Sequence, residues 1–469
     1  MSFLKRPAAA ATALAIAFAL PACTSGGDAD TPAAQAEGVT PEMLQAAAQD
    51  EDSRRFYEAR QWQAAWSDEA AGQLRATLNN AVRHGLNPAT FAEGLDASGS
   101  PAERDAALTK AALAYANALA HGRVDPERLF NVYTLPRNRV DVPAGLAEAV
   151  GRGNATEWIE SLAPQDEEYL ALSDAYVGQL QAAQQPQPAP AEPAEASNKA
   201  QAKQKGAQIA PPEVPRDRAV VLAANLERRR WLERDPARTR IDVNTAATFL
   251  RYIRDGAVAD QRVVVNGEPG WETPQLQSPL YRFSANPDWT VPASIESAEL
   301  SDLSAAEMRR RNFERENGRL VQQPGPQNAL GLVKLDMRND HAIYLHDTPS
   351  KAAFGQQERH LSHGCVRVQD AVGFARLIAD HAGKRAELDE ALGQRERETT
   401  FIDLPQEIPV RLLYLTAYLD GGRLVFASDI YGWDAKIAEA LGMPVPPASA
   451  TAERRAEQSR RNRGSDVGP

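Results

Sequence analysis

The sequence predicts a multi-domain α+β protein, with an all-α N-terminal unit followed by a β-rich unit that carries a helical insertion. Three observations predict it. Apolar residues recur at helical spacing from Pro41 to about Leu180, residues 181–215 are rich in Pro, Ala and Gln, and beyond them the period changes to two. A length of 469 residues with an ordinary hydrophobic fraction of 43% allows two or three domains with real cores. The net charge of −11 argues against a nucleic-acid partner, which would favour a basic surface.

The chain opens "MSFLKRPAAAATALAIAFALPACTSGG". A basic start (Lys5, Arg6), an apolar run from Ala8 to Leu20 and the ending Leu20-Pro21-Ala22-Cys23 have the layout of a signal peptide over 1–22, too short to be a good membrane span. The ending resembles a bacterial lipobox, in which Cys23 becomes the lipidated first residue, although Pro21 departs from the usual residue there. The alternative is an ordinary signal peptide cleaved near Ala22. Either way the protein is expected to be exported. No later apolar stretch is long enough to cross a bilayer, so membrane attachment is expected through the N-terminal lipid. Residues 23–40, small and polar after the cysteine, read as a lipidated tether.

A helical domain is expected over 41–180. "AALTKAALAYANALAHGRVDP" repeats Leu108, Ala112, Tyr115 and Leu119 on one face and stops at His121-Gly122, a favourable C-terminal charge and a helix-ending glycine. Residues 181–215 lack large apolar side chains and cannot offset their ordering entropy by burial, so they read as a linker. A second domain is expected over 216–440. It begins with the helix "AVVLAANLERRRWLERD" and continues with strand-like "TRIDVN", "QRVVVNG", "YRFSANPDWTVP", "LVKLDM", "AIYLHD" and "VRLLYLTAYLDGGRLVF". Asp420-Gly421-Gly422 joins the last two strands as a hairpin. Residues 295–325, including "AEMRRRNFERENGRL", read as a charged helical insertion, and 441–469 as a disordered tail.

Chemistry concentrates in "HLSHGCVRVQD", His360–Asp370. If Cys23 carries lipid, Cys365, the other of the two cysteines, has no disulfide partner, and an unpaired thiol in an oxidising compartment is a liability without a use. Extended backbone puts His363, Cys365 and Arg367 on one face, with Val366 and Val368 on the other; "HAIYLHD" likewise puts Tyr344 and His346 opposite Ile343 and Leu345. Pairing these segments is expected to bring His346 beside Cys365. A helix from about Asp370 would hold the cysteine strand through Val372, Phe374, Leu377 and Ile378. A free thiol, with a pKa of about 8.5, gains reactivity from an imidazole that takes its proton to form a thiolate–imidazolium pair. Amides around Gly364–Cys365 suit an oxyanion, and the fork of Arg367 suits a substrate carboxylate. Two alternatives compete: zinc on His360, His363 and Cys365, a set without a standard ligand frame, and a satisfied core with no chemistry.

"HDTPSKAAFGQQERHLSHGCVRVQD" closely resembles the active-site signature of the L,D-transpeptidases. Further likeness to the large Gram-negative branch of that family runs through "AANLERRRWL", "NPDWTVPASI", "PGPQNALGLVKL" and "DIYGWD", and "FYEARQWQAAWSD", "HGLNPATF" and "HGRVDPERL" resemble its helical scaffold domain. The resemblance implies a β-rich transpeptidase domain in which 295–325 form a lid. It implies Cys365 as nucleophile, His346 as general base and His363 as an orienting, polarising histidine. Tyr344 and Arg367 would line the substrate site, and the backbone carbonyl of Asp347 would orient the His346 ring. No cofactor and no metal are implied. The partners implied are peptidoglycan stem peptides: a tetrapeptide donor, and the side-chain amine of a diaminopimelate in a second stem as acceptor, giving a 3→3 cross-link. Carbapenem-type inhibitors would acylate Cys365. Water as acceptor would make the same site an L,D-carboxypeptidase, and a protein lysine would anchor a protein to the wall. A hypothesis of another class, a non-catalytic wall-binding lipoprotein scaffold, is weakened by the presence of both Cys365 and His346. The branch often carries a small peptidoglycan-binding module where this chain has its Pro/Ala/Gln linker.

Overall fold

A computed structural model describes residues 38–95, 98–184, 218–394 and 398–444. The predicted leader, Cys23, most of the tether, almost all of the linker and most of the tail lie outside the described residues. No helix among those described is long and apolar enough to cross a membrane.

The N-terminal unit runs α1 (Pro41–Ala47), α2 (Glu51–Ala59), α3 (Asp68–Asn79), α4 (Ala89–Ala92), α5 (Pro101–His121), α6 (Pro126–Leu129), β1 (Tyr133–Thr134), α7 (Val142–Arg152), α8 (Ala155–Ser161) and α9 (Glu167–Gln184). Helix α5 is central, with Leu113, Tyr115, Leu119 and most of its alanines buried. Its ends follow from local chemistry. Ser100 and Glu103 form a capping box at the start, and Gly122 at φ 86° ends the helix after His121. Asp105 of α5 accepts from the Tyr57 hydroxyl at 2.6 Å and from the amides of Ala65 and Trp66, tying the segment after α2 to the core. This unit is not purely helical, because β1 pairs in parallel with a strand of the second unit, Tyr133 opposite Gln275.

The second unit begins with α10 (Arg218–Trp231), followed by β2 (Arg240–Asn244), β3 (Phe249–Arg254), β4 (Ala257–Gly267) and β5 (Gln275–Ala285). The insertion comprises β6 (Trp289–Thr290), α11 (Ala293–Ile295), a π-helical turn over Glu296–Leu300, α12 (Ala305–Arg310), β7 (Phe313–Glu316) and β8 (Arg319–Gln322). Then come β9 (Val333–Met337), β10 (Leu345–His346), β11 (His360–Ser362), β12 (Val366–Val368), α13 (Ala371–His381), α14 (Arg385–Gly393), β13 (Thr400–Leu413), β14 (Ala417–Asp420), β15 (Arg423–Phe426) and α15 (Trp433–Ala440).

The main sheet runs β1-β5-β13-β2-β3-β4-β12-β10-β9, and β9 pairs back on β5, so the strand path closes on itself. Ile241, Val264, Phe283, Leu335, Leu345, Val366 and Val368 fill one core with Phe374 and Ile378 of α13. The predicted helix from Asp370 is therefore present, and the Asp370 side chain caps it by accepting from the Gly373 amide. The β14–β15 hairpin also stands as expected, with Asp420 opposite Arg423.

One strand goes unassigned in the sequence and one reading needs correction. The unassigned "FLRYIR" is strand β3, which enters a hairpin through Asp255-Gly256, both at positive φ. The insertion is only half helical. Its later part is a hairpin turned by Asn317-Gly318 at φ 50° and 81°, and with β6 it forms a three-stranded sheet over a small core of Val291, Ile295, Leu300, Phe313 and Leu320.

Helix α10 does not belong to the second unit alone. Val221, Leu222, Ala223 and Leu226 pack in the helical core, while Ala224 and Trp231 join Phe130, Tyr133, Trp433 and Ile437 in another. Its charges are buried and matched. Arg230 donates to the His84 carbonyl at 2.6 Å and to Tyr169 at 3.0 Å and pairs with Glu227, while Arg228 pairs with Asp434 of α15. Buried ions are costly unless paired and hydrogen-bonded, so this helix locks both units in one arrangement.

Candidate active site

Strand β10 lies between β9 and β12, with Leu345 opposite Val366 and His346 opposite Arg367 in parallel register, and His346 opposite Lys334 on β9. Leu345, Val366 and Val368 point into the core. The polar side chains Tyr344, His346, Cys365 and Arg367 therefore share the other face, as strand alternation requires. The expected pairing is shifted by one step. His346 stands beside Arg367, and the residue across from Cys365 is Tyr344, whose carbonyl accepts from the Val366 amide at 3.2 Å.

His346 is buried, and its Nδ1 lies 2.5 Å from the Asp347 carbonyl, the predicted orienting contact. A carbonyl only accepts, so Nδ1 carries the proton and Nε2 keeps the lone pair of a base. Burial, then the positive charge of Arg367, push the His346 pKa down to about 3, with Lys334 adding to it. The imidazole is neutral at every physiological pH. Burial also raises the Cys365 thiol above its ordinary value, although hydrogen bonds from the Tyr344 amide and hydroxyl and the charges of Lys334 and Arg367 oppose this. The thiol donates to the Ala342 carbonyl at 3.5 Å. Both shifts favour a neutral thiol and a neutral imidazole over the ion pair expected from the sequence. Two flanking cations and a dry surround disfavour an imidazolium.

The turn before Cys365 is held by its own residues. Gly364 sits at φ 107°, which disfavours a side chain. Ser362 Oγ donates to the Cys365 carbonyl at 2.6 Å and accepts from the Gly364 amide at 3.3 Å, while Thr273 Oγ1 donates to the Gly364 carbonyl at 2.8 Å. The Gly364 amide is therefore occupied, which corrects the expectation of a shared oxyanion site. Among the described residues no protein acceptor takes the Cys365 amide, and that amide is the available donor.

Other predicted residues fall into place with changed roles. Asp347 contributes its carbonyl. Its buried carboxylate accepts from the Leu332 amide at 3.0 Å and pairs with Lys351, so it is not a substrate contact. Arg367 lines a cavity of about 190 Å³ with Trp289, Arg311 and Gln322 of the insertion. His363 donates from Nε2 to the Glu299 carboxylate of the insertion at 2.7 Å and packs edge-on against Trp271, with centroids 5.0 Å apart. The insertion thus lies over the site. Lys334, Glu299, Trp271 and Ser362 went unassigned in the sequence reading. Two of them had a signal: Ser362 stands in the "SHGC" motif, and the alternation in "LVKLDM" puts Lys334 and Asp336 on a polar face.

His360 is buried in β11. Its Nδ1 is 2.5 Å from Glu358, its Nε2 is 2.8 Å from the Thr245 carbonyl, and its ring meets Tyr431 edge-on. With both nitrogens engaged away from Cys365, His360, His363 and Cys365 do not converge on a common ligand position. His360→Ala is expected to cost roughly 1–3 kcal/mol of stability by leaving buried partners unpaired, while acylation per folded molecule stays within about twofold. Thermal melts alongside active-site titration check this; a large loss of acylation in a protein of unchanged melting point would contradict it.

A larger cavity, about 640 Å³, lies between the N-terminal unit and the sheet, lined by Arg229, Arg234 and Arg411, and contains none of these site residues.

Comparison with known proteins finds two family matches. Residues 51–175 match a family described as a scaffold domain, and residues 238–387 match the L,D-transpeptidase catalytic domain. A Haemophilus influenzae protein whose name assigns it to the L,D-transpeptidases is 29% identical over 220 residues, which span 42% of this chain and 45% of that protein. Among solved structures, an L,D-transpeptidase from Mycobacterium smegmatis aligns at 14% identity and a TM-score of 0.21, over 38% of this chain and 60% of that one. One from Enterococcus faecium aligns at 13% and 0.20, over 39% and 52%. Residues 238–387, with His346 and Cys365 among them, belong to the L,D-transpeptidase catalytic-domain family, joined in this chain to a scaffold domain.

Proposed function

We propose that this chain is a peptidoglycan L,D-transpeptidase that forms 3→3 cross-links through a thioester on Cys365. The observation that carries the reading is the shared polar face of Tyr344, His346, Cys365 and Arg367, with the Asp347 carbonyl fixing the base tautomer. Cys365 Sγ attacks the carbonyl of the L-centre of diaminopimelate in a tetrapeptide stem. The thiol proton passes to His346 and on to the departing D-alanine nitrogen, so one amide breaks and one thioester forms. The Cys365 amide stabilises the oxyanion, and Arg367 holds a donor carboxylate. The side-chain amine of a second stem then attacks the thioester, and its proton returns to the sulfur by way of His346. The insertion, contacting His363 through Glu299, acts as a lid that favours an amine over water by excluding solvent.

Incubation with a carbapenem followed by intact-mass measurement tests the reading. One adduct per chain is expected, and the absence of any adduct at millimolar inhibitor would sink it.

The proposal extends to location. Lipid on Cys23, followed by Thr24, would place the protein at the inner leaflet of the outer membrane of a Gram-negative host. Several acyl chains at ~0.8 kcal/mol per buried CH₂ give stable anchorage. Cell fractionation should find wild type with outer membranes and Cys23→Ala unprocessed or mislocalised. Wild type found soluble in the periplasm would rule out the lipid anchor.

A further inference from the structure

A second cavity at the catalytic turn has a wall from the N-terminal unit. It measures about 310 Å³ and is lined by His363, Gly364 and Ile343 from the catalytic unit, by Asn131 from the loop between α6 and β1, and by Lys436 of α15. The loop is firmly placed. Phe130 packs on Trp433 with ring centroids 4.9 Å apart, and β1 is paired with β5 directly after it. Lys436 is exposed, and among the described residues it has no carboxylate or hydrogen-bond partner. Arg367, the other cation at the site, lines a different cavity, next to the insertion.

We propose that this cavity is the subsite for the α-amino carboxylate that leaves Cys365 and for the one that arrives, with Lys436 holding its carboxylate. The proposal rests on the transpeptidase reading above. Its chemical basis is that expulsion and attack of an amine at one acyl centre are the same step run in opposite directions, so both amines occupy one position. The departing D-alanine carries its carboxylate two bonds from the nitrogen. So does the D-centre of the attacking diaminopimelate. One ammonium placed beside the catalytic turn therefore serves both halves of the reaction. The apolar part of the cavity, Ile343 and Trp271, receives the methyl group of the one and the methylene chain of the other. In the first half-reaction the donor amide breaks as the thioester forms; in the second the thioester breaks as the new amide forms, and no other reactant is required. The N-terminal unit thereby shapes the substrate site as well as supporting the fold.

The experiment compares two tetrapeptide donors, one ending in a free D-alanine carboxylate and one in the carboxamide, by kcat/KM for release of the terminal residue. Wild type should prefer the free acid by about tenfold or more, the usual size of a hydrogen bond to a charged group. Lys436→Gln should remove that preference by slowing the free acid and leaving the carboxamide unchanged. Asn131→Asp, which places a negative charge in the scaffold wall, should also slow the free acid alone. Equal use of both donors by wild type, or a preference that survives Lys436→Gln, overturns the assignment to Lys436. An Asn131→Asp change that slows both donors equally, or neither, overturns the scaffold loop's part in it. Failure of wild type to be acylated by either donor or by a carbapenem is a different result, and it removes the transpeptidase reading itself.

Discussion

Cys365→Ser will fold, retain a melting point within a few degrees of wild type, and form no carbapenem adduct. The fold should tolerate the change because the thiol donates one long hydrogen bond, to the Ala342 carbonyl at 3.5 Å, and a hydroxyl can donate the same contact and accept from Tyr344 in place of the sulfur. The chemistry should not tolerate it. A hydroxyl is a far weaker nucleophile than a thiol, and the base on the same face is an imidazole whose pKa is pushed down to about 3. Such a base accepts a proton only when the attacking atom is already acidified by bond formation. Sulfur reaches that point far more easily than oxygen. Turnover of a tetrapeptide donor should fall by on the order of a thousandfold or more. Intact mass and release of D-alanine are the readouts, and cross-linking at the wild-type rate would assign the nucleophile elsewhere.

His346→Ala should lower acylation by about a hundredfold to ten-thousandfold, the usual contribution of a positioned general base. Its pH profile separates loss of the base from loss of structure. In wild type neither partner titrates between pH 5 and 8, because the imidazole is neutral above about 3 and the thiol is raised above its ordinary value. The acylation rate should be nearly flat there. Without the imidazole only the thiolate attacks, so the variant's rate should climb about tenfold per pH unit below the thiol pKa. A variant as flat as wild type would show that the residue only supports the fold. A wild type that rises with an apparent pKa near neutrality would instead indicate that the site forms the ion pair.

Much of this site was legible because it depends on local geometry. Alternation along a strand follows from the covalent backbone, so "HAIYLHD" and "GCVRV" announce which side chains share a face before any partner strand is known. Helix α13 announces itself through Asp370 and its apolar spacing, and the β14–β15 hairpin through Asp-Gly-Gly. Strand β3 was missed because the arginines of "FLRYIR" stand three residues apart, at 251 and 254, and break the period of two, and the insertion hairpin because its Asn317-Gly318 turn is embedded in a charge run that also suits a helix. Each element depends on pairing with residues that the local pattern does not reveal.

The sequence by itself determined the candidate reacting groups, their common face, the motif around Cys365 and the division into a helical and a β-rich unit, since these follow from residue type and from periods of two and 3.6. Only the tertiary structure decided that His346 stands opposite Arg367 and Lys334, that the Gly364 amide goes to Ser362, that His360 is buried with both ring nitrogens engaged, and that a loop of the helical unit reaches the cavity at His363 and Gly364. Register joins segments distant in the chain, and a one-residue slip changes every neighbour. Desolvation depends on what covers a group, not on the group itself. That is why the sequence pointed to a thiol and an imidazole, while the fold decided that burial pushes the thiol pKa up and the imidazole pKa down.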